Sequence, residues 1–268
     1  MVRPETLSSA ANPLLKSVRR AIARGGLTED GLCVAESFHL LEEALRSDCA
    51  VKVVLTARSV QSAVETHVRQ LSGTRVFVLP DALLETLTGT ESSQGVIALV
   101  EPPSWELAQL FRGHCLLIVL DGVQDPGNAG TIVRAAEAFG GTGVIFVKGT
   151  ASPFNPKTLR AAAGSLFRLP FVHSVDAELV RAALRQKKID AYAGVPFTGE
   201  NHVKSIVDAD LTRKCAIIIG SEGHGVSEAL HGCAVDLAIP TVAVESLNAA
   251  MAASVILYEA RRQRSLRP

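Results

Sequence analysis

Three short segments hold residues whose types and spacing could do chemistry. They are Leu120-Asp-Gly-Val-Gln-Asp-Pro-Gly-Asn-Ala-Gly-Thr-Ile-Val-Arg134, Ile217-Ile-Ile-Gly-Ser-Glu-Gly-His-Gly-Val-Ser227, and Ile239-Pro240 followed by Glu245-Ser-Leu-Asn248. In the first, Pro126 and Gly127 make a turn and a helix follows from about Ala129. Asn128, Thr131 and Arg134 are three apart, so they share roughly one side of its first turns, with Ile132, Val133, Ala136 and Phe139 on the buried side. Such an amide and guanidinium can orient and grip a polar or anionic substrate; equally, Asn128 can be a helix cap and Arg134 a solvated charge. In the second, three glycines within Gly220–Gly225 let the backbone wrap closely around a ligand or simply turn. Their order, G-x-x-G-x-G, is neither the dinucleotide fingerprint nor a Walker loop. In the third, Ser246 is suited to capping the last helix, and Ser246 and Asn248 beside a proline-stiffened strand end could also hold a polar substrate; Met251, Val255 and Tyr258 follow as an apolar face.

Each segment sits where a strand ends or where the next helix starts, and in an open α/β sheet those carboxyl ends are where ligands bind. The elements that must position them alternate along the whole chain. Strands are expected at Gly31–Ala35, Val51–Thr56, Arg75–Leu79 and Gly95–Val100, with helices at Phe38–Arg46, Gln61–Leu71 and Asp81–Leu87, the last capped by Asp81; residues 1–24 read as a basic helical lead-in. Glu101-Pro-Pro-Ser104 breaks both kinds of element. A second alternation then brings strands at Cys115–Asp121, Gly143–Val147, Leu169–His173, Asp190–Ala193, Ala216–Gly220 and Val235–Ile239. Helices fall at about Ala129–Phe139, Pro156–Ala163, Ala177–Gln186 and from about Leu247 to Arg262. The short apolar strand cores suit a parallel sheet buried on both faces. The division expected is a domain over residues 1–102 and a larger one over residues 112–268.

Composition narrows the function classes. Of 268 residues, 47% are hydrophobic, enough for a full core. Lys and Arg total 27 and so do Asp and Glu, which gives no overall basic excess. The distribution is uneven: no acid occurs from Ala138 to Val175, Arg3, Lys16, Arg19, Arg20 and Arg24 crowd the start, and Arg261, Arg262, Arg264 and Arg267 the tail. Local positive surface of this kind is what a phosphate backbone meets. The five cysteines form no Cys-x-x-Cys pair and the histidines no ligand spacing, so a reducing cytoplasm is expected and no metal site. No apolar run approaches the ~20 residues that span a bilayer, and no signal peptide is legible.

Taken together, in order and at these spacings, the three segments resemble the motifs of the SpoU/TrmH family of RNA ribose 2′-O-methyltransferases, of the SPOUT class. The resemblance runs from about Leu116 to Arg264, with Asn155-Pro-Lys-Thr-Leu-Arg-Ala-Ala-Ala-Gly-Ser165 as the family's connecting segment. Ser8-x-x-Asn12-Pro13, Val34-Ala-Glu36 and Gln94-Gly-Val96 resemble the substrate-binding domain found ahead of the catalytic one. Two departures stand out: Ala35-Glu36-Ser37 where the family writes Val-Glu-Gly, and Pro-Thr-Val-Ala-Val between Ile239 and Glu245, a residue shorter than usual and without its glycine. The resemblance implies an α/β protein: a parallel-sheet SPOUT domain with a deep trefoil knot, preceded by a smaller, ribosomal-protein-like α/β/α RNA-binding domain. It implies S-adenosylmethionine held by Gly220, Ile239 and Leu247, with Val242 and Val244 on the adenine side, and no metal. The catalytic set it implies is Arg134, Asn128, Glu222, Ser246 and Asn248, with Arg134 either a base or an electrostatic clamp. It implies a cytoplasmic homodimer with the last helix at the interface, acting on ribosomal RNA before transfer RNA, and not on DNA. A catalytically silent RNA-binding factor on the same scaffold is the alternative, disfavoured by the intact catalytic set, and the missing fingerprint disfavours a dinucleotide enzyme.

Overall fold

The structure, a computed structural model, describes residues 4–68, 73–88, 94–197 and 203–266. The expected helix end at Leu71 and the arginines Arg3 and Arg267 lie outside the described residues. Two compact units form: Met1–Ser104 with Phe154–Arg168, and Trp105–Pro153 with Leu169–Pro268.

The first unit contains β1 (Glu5–Thr6), α1 (Pro13–Arg24), β2 (Cys33–Glu36), α2 (Phe38–Arg46), β3 (Val51–Ala57), α3 (Gln61–Val68), β4 (Arg75–Leu79), α4 (Asp81–Glu85) and β5 (Val96–Val100). Its sheet has the order β1-β4-β3-β5-β2, with β5 antiparallel to both neighbours and the other pairs parallel. The lead-in is not one helix. Glu5 and Thr6 extend the sheet, and α1 starts only where Asn12 accepts the Leu14 N–H (2.9 Å) and Pro13 takes the first helical position. Gly25 ends α1 in the left-handed conformation. Leu15, Val18 and Ala21 of α1 join Leu55, Phe77 and Ile97 of the sheet in one core. In α4 the cap position is Pro80, not Asp81; the Asp81 carboxylate instead accepts the Ser59 N–H (3.2 Å).

The second unit runs α5 (Leu107–Leu110), β6 (Leu116–Asp121), α6 (Pro126–Ala138) and β7 (Gly143–Val147). The chain then supplies α7 (Pro156–Ala162) to the first unit. It continues with β8 (Phe171–Val175), α8 (Ala177–Gln186), β9 (Asp190–Gly194), β10 (Lys204–Ser205), β11 (Cys215–Gly220), α9 (Glu228–His231), β12 (Val235–Ala238) and α10 (Ala249–Ser265). The sheet order is β10-β12-β9-β11-β6-β7-β8 and every pairing is parallel. All six residues of β6 and all five of β7 are buried, as strands covered on both faces must be. Leu117, Val119, Ile145 and Ile218 pack with Val180 and Leu184 of α8 on one side.

Helix starts follow a single local rule. Asp125 caps α6 by accepting the Asn128 N–H (2.8 Å) and Pro126 takes the first position, so α6 begins three residues before the expected Ala129. Asn155 and Pro156 open α7 in the same way. Asn248 caps α10 through the N–H groups of Ala250 (2.9 Å) and Met251 (3.3 Å), which places the start after Leu247 and moves the cap from Ser246 to Asn248.

Candidate active site

β6 and β11 are neighbours in register, and their last residues, Asp121 and Gly220, are partners. Asp121 is buried, and its carboxylate accepts the Ser227 N–H at 2.7 Å, which fastens the far end of the loop that leaves Gly220. Within that loop Ser221 and Gly225 exchange both backbone hydrogen bonds (3.0 and 2.9 Å), folding it back on itself. A Cβ on Gly220 would lie 2.1 Å from the Gly225 carbonyl carbon. Only glycine permits the loop backbone to pass this close, and Gly225 itself holds φ +69°.

A cavity of about 530 Å³ opens at the carboxyl ends of β9, β11 and β12. Gly220 and Glu222 line it from the loop after β11, Ile239 and Thr241 from the segment after β12, and Ser246, Leu247 and Asn248 from the turn into α10. The chain returns past β6 to fill positions beyond β11, so these ends flank a switch in strand order, where open α/β sheets bind their ligands.

Asn128 links the three segments. Its Nδ2 donates to Glu222 Oε1 at 2.7 Å, and its Oδ1 accepts from Asn248 Nδ2 at 3.2 Å. Both polar atoms of the amide are thereby committed, which fixes its orientation and leaves the remaining carboxylate oxygen of Glu222 for other donors. Arg134 lies two turns further along α6, exposed and with no hydrogen-bond or ion-pair partner among the described residues.

The sequence-derived set therefore divides. Glu222, Ser246, Asn248, Gly220, Ile239 and Leu247 line one cavity, and Asn128 is bonded to two of them. Arg134 is not among the lining residues, and neither are Val242 and Val244, which stand exposed on the loop before α10. That loop is closed instead by Thr241, whose hydroxyl donates to the Val244 carbonyl (2.7 Å). One wall was not anticipated: Gly194, Val195, Pro196 and Phe197, leaving β9. The signal for it was present, a glycine and a proline at the end of an apolar strand.

The lining suits a nucleoside joined to an amino acid. Ile219, Leu237, Ile239, Ile256 and Phe197 give an apolar wall, while Glu222, Ser246 and Asn248 supply a few convergent polar groups. Gly220 offers bare backbone at closest approach. The volume is in the range of cofactor clefts. The cysteines take no part: Cys33 and Cys215 are buried, and burial pushes their thiols up to about 12 and about 11, so both stay protonated at neutral pH. Among the described residues no cluster could hold a metal ion.

Residues 115–258 match the model of the SpoU rRNA Methylase family, and residues 12–98 match an MRM3-like substrate binding domain. A 23S rRNA (guanosine(2553)-2′-O)-methyltransferase of Bacillus subtilis is 32% identical over 263 residues, covering 95% of this chain and 98% of its own. A 23S rRNA (uridine(2479)-2′-O)-methyltransferase of Streptomyces viridochromogenes is 35% identical over 71% of this chain and 68% of its own. The crystal structure of the SpoU methyltransferase AviRb from Streptomyces viridochromogenes in complex with AdoMet superposes with a TM-score of 0.82 at 27% identity, over 95% of this chain and 99% of that one. The chain belongs to the SpoU rRNA methylase family and is, as a member, an S-adenosylmethionine-dependent RNA ribose 2′-O-methyltransferase.

Proposed function

We propose that this enzyme methylates ribose 2′-hydroxyls of ribosomal RNA, with Asn128, Glu222, Ser246, Asn248 and Arg134 as its working residues. The observation that carries the reading is the hydrogen-bonded run Asn248–Asn128–Glu222, which ties three segments far apart in sequence to the rim of one cavity. Gly220, Ile239 and Leu247 would hold S-adenosylmethionine there, whereas Val242 and Val244 stand exposed outside the lining. When bound, the cofactor supplies a methyl group on a sulfonium.

A ribose 2′-hydroxyl is a poor nucleophile until its proton is engaged and its developing negative charge is met. Arg134 is a fixed cation with no partner of its own among the described residues, which fits it to clamp a phosphate and to stabilise the alkoxide as it forms. Asn128, locked by its two bonds, holds the Glu222 carboxylate in one orientation. Ser246 and Asn248, at the start of α10, align the sugar. Much of the rate then comes from fixing two bound reactants in line.

The reading carries a homodimer, supported by the exposed apolar side chains of Met251, Val255 and Tyr258 on α10. It also carries the knotted path of the family, supported by the insertion of β11 between β6 and β9, both laid down earlier in the chain. A cytoplasmic location fits the five free cysteines.

The test is transfer of tritium from S-adenosylmethionine to 23S rRNA, scored as alkali-resistant dinucleotides, since a methylated 2′-oxygen blocks strand hydrolysis. Arg134→Ala is expected to lower kcat by about 100-fold or more, with calorimetric cofactor affinity unchanged. Wild-type protein that binds the cofactor yet labels no rRNA would overturn the substrate; full activity in Arg134→Ala would overturn the role given to the arginine.

A further inference from the structure

We propose that the outward face of α1 is a track for the phosphate backbone of the substrate RNA. The inference rests on the ribosomal RNA reading above and adds the place on the first unit where a strand of that RNA lies. Lys16, Arg20 and Arg24 recur every four residues, so they stand in a row on one side of the helix. All three are exposed, while Leu15, Val18 and Ala21 face the core. Arg19 stands beside the row, half-buried. Four helical residues rise about 6 Å, close to the spacing of successive phosphates along one RNA strand.

Like charges four apart destabilise a helix, and α1 has no acid in its twelve residues to offset them. Compensation comes from outside and is incomplete. Arg20 pairs with Glu29, exposed in the turn after α1, where Asp30 is the other acid. Among the described residues Arg19 reaches only the Thr86 hydroxyl (3.4 Å). Lys16 and Arg24 have no acidic partner among the described residues. A row of cations kept against the helix's own stability fits a polyanion.

Two further observations place the row in a larger surface. A cleft of about 240 Å³ opens beside Arg20 and Arg24, lined also by Leu27, Thr28 and the acid Glu29 that pairs with Arg20. Gly25, which ends α1, lies against Asn155, the cap of the helix that carries exposed Lys157. The whole of α1 falls within the stretch matching a substrate binding domain.

Binding of 23S rRNA by the full-length protein, followed by anisotropy over a series of KCl concentrations, tests the proposal. Lys16→Ala/Arg20→Ala/Arg24→Ala is expected to bind about 10- to 100-fold more weakly, with the slope of log K against log salt reduced by about two to three. KM for RNA should rise by the same factor, with kcat and cofactor affinity unchanged. A charge-matched control in the second unit, Arg185→Ala/Lys187→Ala/Lys188→Ala, should keep the wild-type slope. Lys16→Glu alone places an acid near the helix start and four residues before Arg20, which favours the helix. Its melting temperature should hold or rise while RNA affinity falls, a combination that a purely structural role does not produce. The proposal fails if the triple variant binds with wild-type affinity and slope, or if the control loses as much. Wild-type protein that neither binds nor methylates the RNA would instead sink the substrate reading on which the proposal stands.

Discussion

Ser37 holds φ 144° and ψ 159°, a backbone region that is essentially glycine's. It falls where the family pattern reads Val-Glu-Gly and this chain reads Ala35-Glu36-Ser37. The serine recovers part of the strain, because its hydroxyl caps α2 by accepting the Leu40 N–H (3.1 Å). Strain of this type costs about 1–3 kcal/mol, whereas replacing a serine cap by glycine costs a few tenths of a kcal/mol and the freer unfolded chain about 0.5–1 kcal/mol. Ser37→Gly is therefore expected to stabilise the protein by up to about 2 kcal/mol, seen as a higher urea midpoint at unchanged slope. A lower midpoint would mean that neighbouring contacts, not the backbone angle, set the energy there. The same residue-scale reasoning separates Gly220 from an ordinary loop glycine, since its requirement comes from the backbone of Gly225 passing overhead.

At the scale of elements, α7 and the turn after it are fastened by two ion pairs whose carboxylates are sunk in the first unit. Arg160 Nη1 meets Glu36 Oε2 at 2.6 Å, and Arg168 Nη1 meets Glu43 Oε2 at 2.5 Å. Gly164 supplies the close approach, because a Cβ there would strike the Glu43 side chain at 2.6 Å. Burial by itself would raise the Glu43 carboxyl; hydrogen bonds and charge from Arg168, with help from Arg46, outweigh it and hold the group below its ordinary 4.5. A carboxylate depressed on folding adds stability that is fully present above its unfolded value and is lost as pH falls through the folded one. The melting temperature should thus decline as pH drops below about 4.5, and Glu43→Gln should flatten that decline while costing about 1.5–3 kcal/mol at neutral pH. An unchanged acid limb in the variant would assign the decline to other groups. Glu36 and Arg160 were each legible as parts of motifs, but their pairing across 124 residues was not, because no local period encodes a long-range contact. α6 and α7, opened by Asp-Pro and Asn-Pro, and strands with solid apolar runs could be read off the sequence to within a few residues, whereas α1, also opened by Asn-Pro, starts well inside the expected lead-in. α5, β10 and α9, at two to four residues, are too short to show any period. In the site, glycines accompanied by polar side chains at strand ends drew attention, whereas the wall from Gly194 to Phe197 offered a glycine and a proline but no polar side chain beside them.

At the scale of the whole molecule, α10 has more apolar surface than one chain covers. Ala250, Ala253, Ile256, Leu257 and Ala260 are buried, while Met251, Val255 and Tyr258 are 59%, 42% and 56% exposed on another side. These three are four and three residues apart, so they form a second stripe, and Tyr258 extends it toward α6 through an edge contact with Phe139 (5.8 Å between centroids). Apolar area left in water forgoes roughly 25 cal/mol per Å², which a second copy seated on the stripe would recover. A dimer of this kind also gives Arg134 a use that its own chain does not show: it stands outside the cavity lining and without a partner among the described residues. If the arginine of one protomer completes the site of the other, an Arg134→Ala chain mixed and refolded with an Asn248→Ala chain should regain methyl transfer that neither variant has alone. Met251→Asp/Tyr258→Asp should sediment as a 28.3 kDa monomer and lose transfer while keeping its fold. Wild-type protein that sediments as a monomer at micromolar concentration removes the dimer. Heterodimers that form but stay inactive keep the dimer and return Arg134 to its own chain's site, since the only thing the mixed pair adds is one intact arginine facing one intact Asn248.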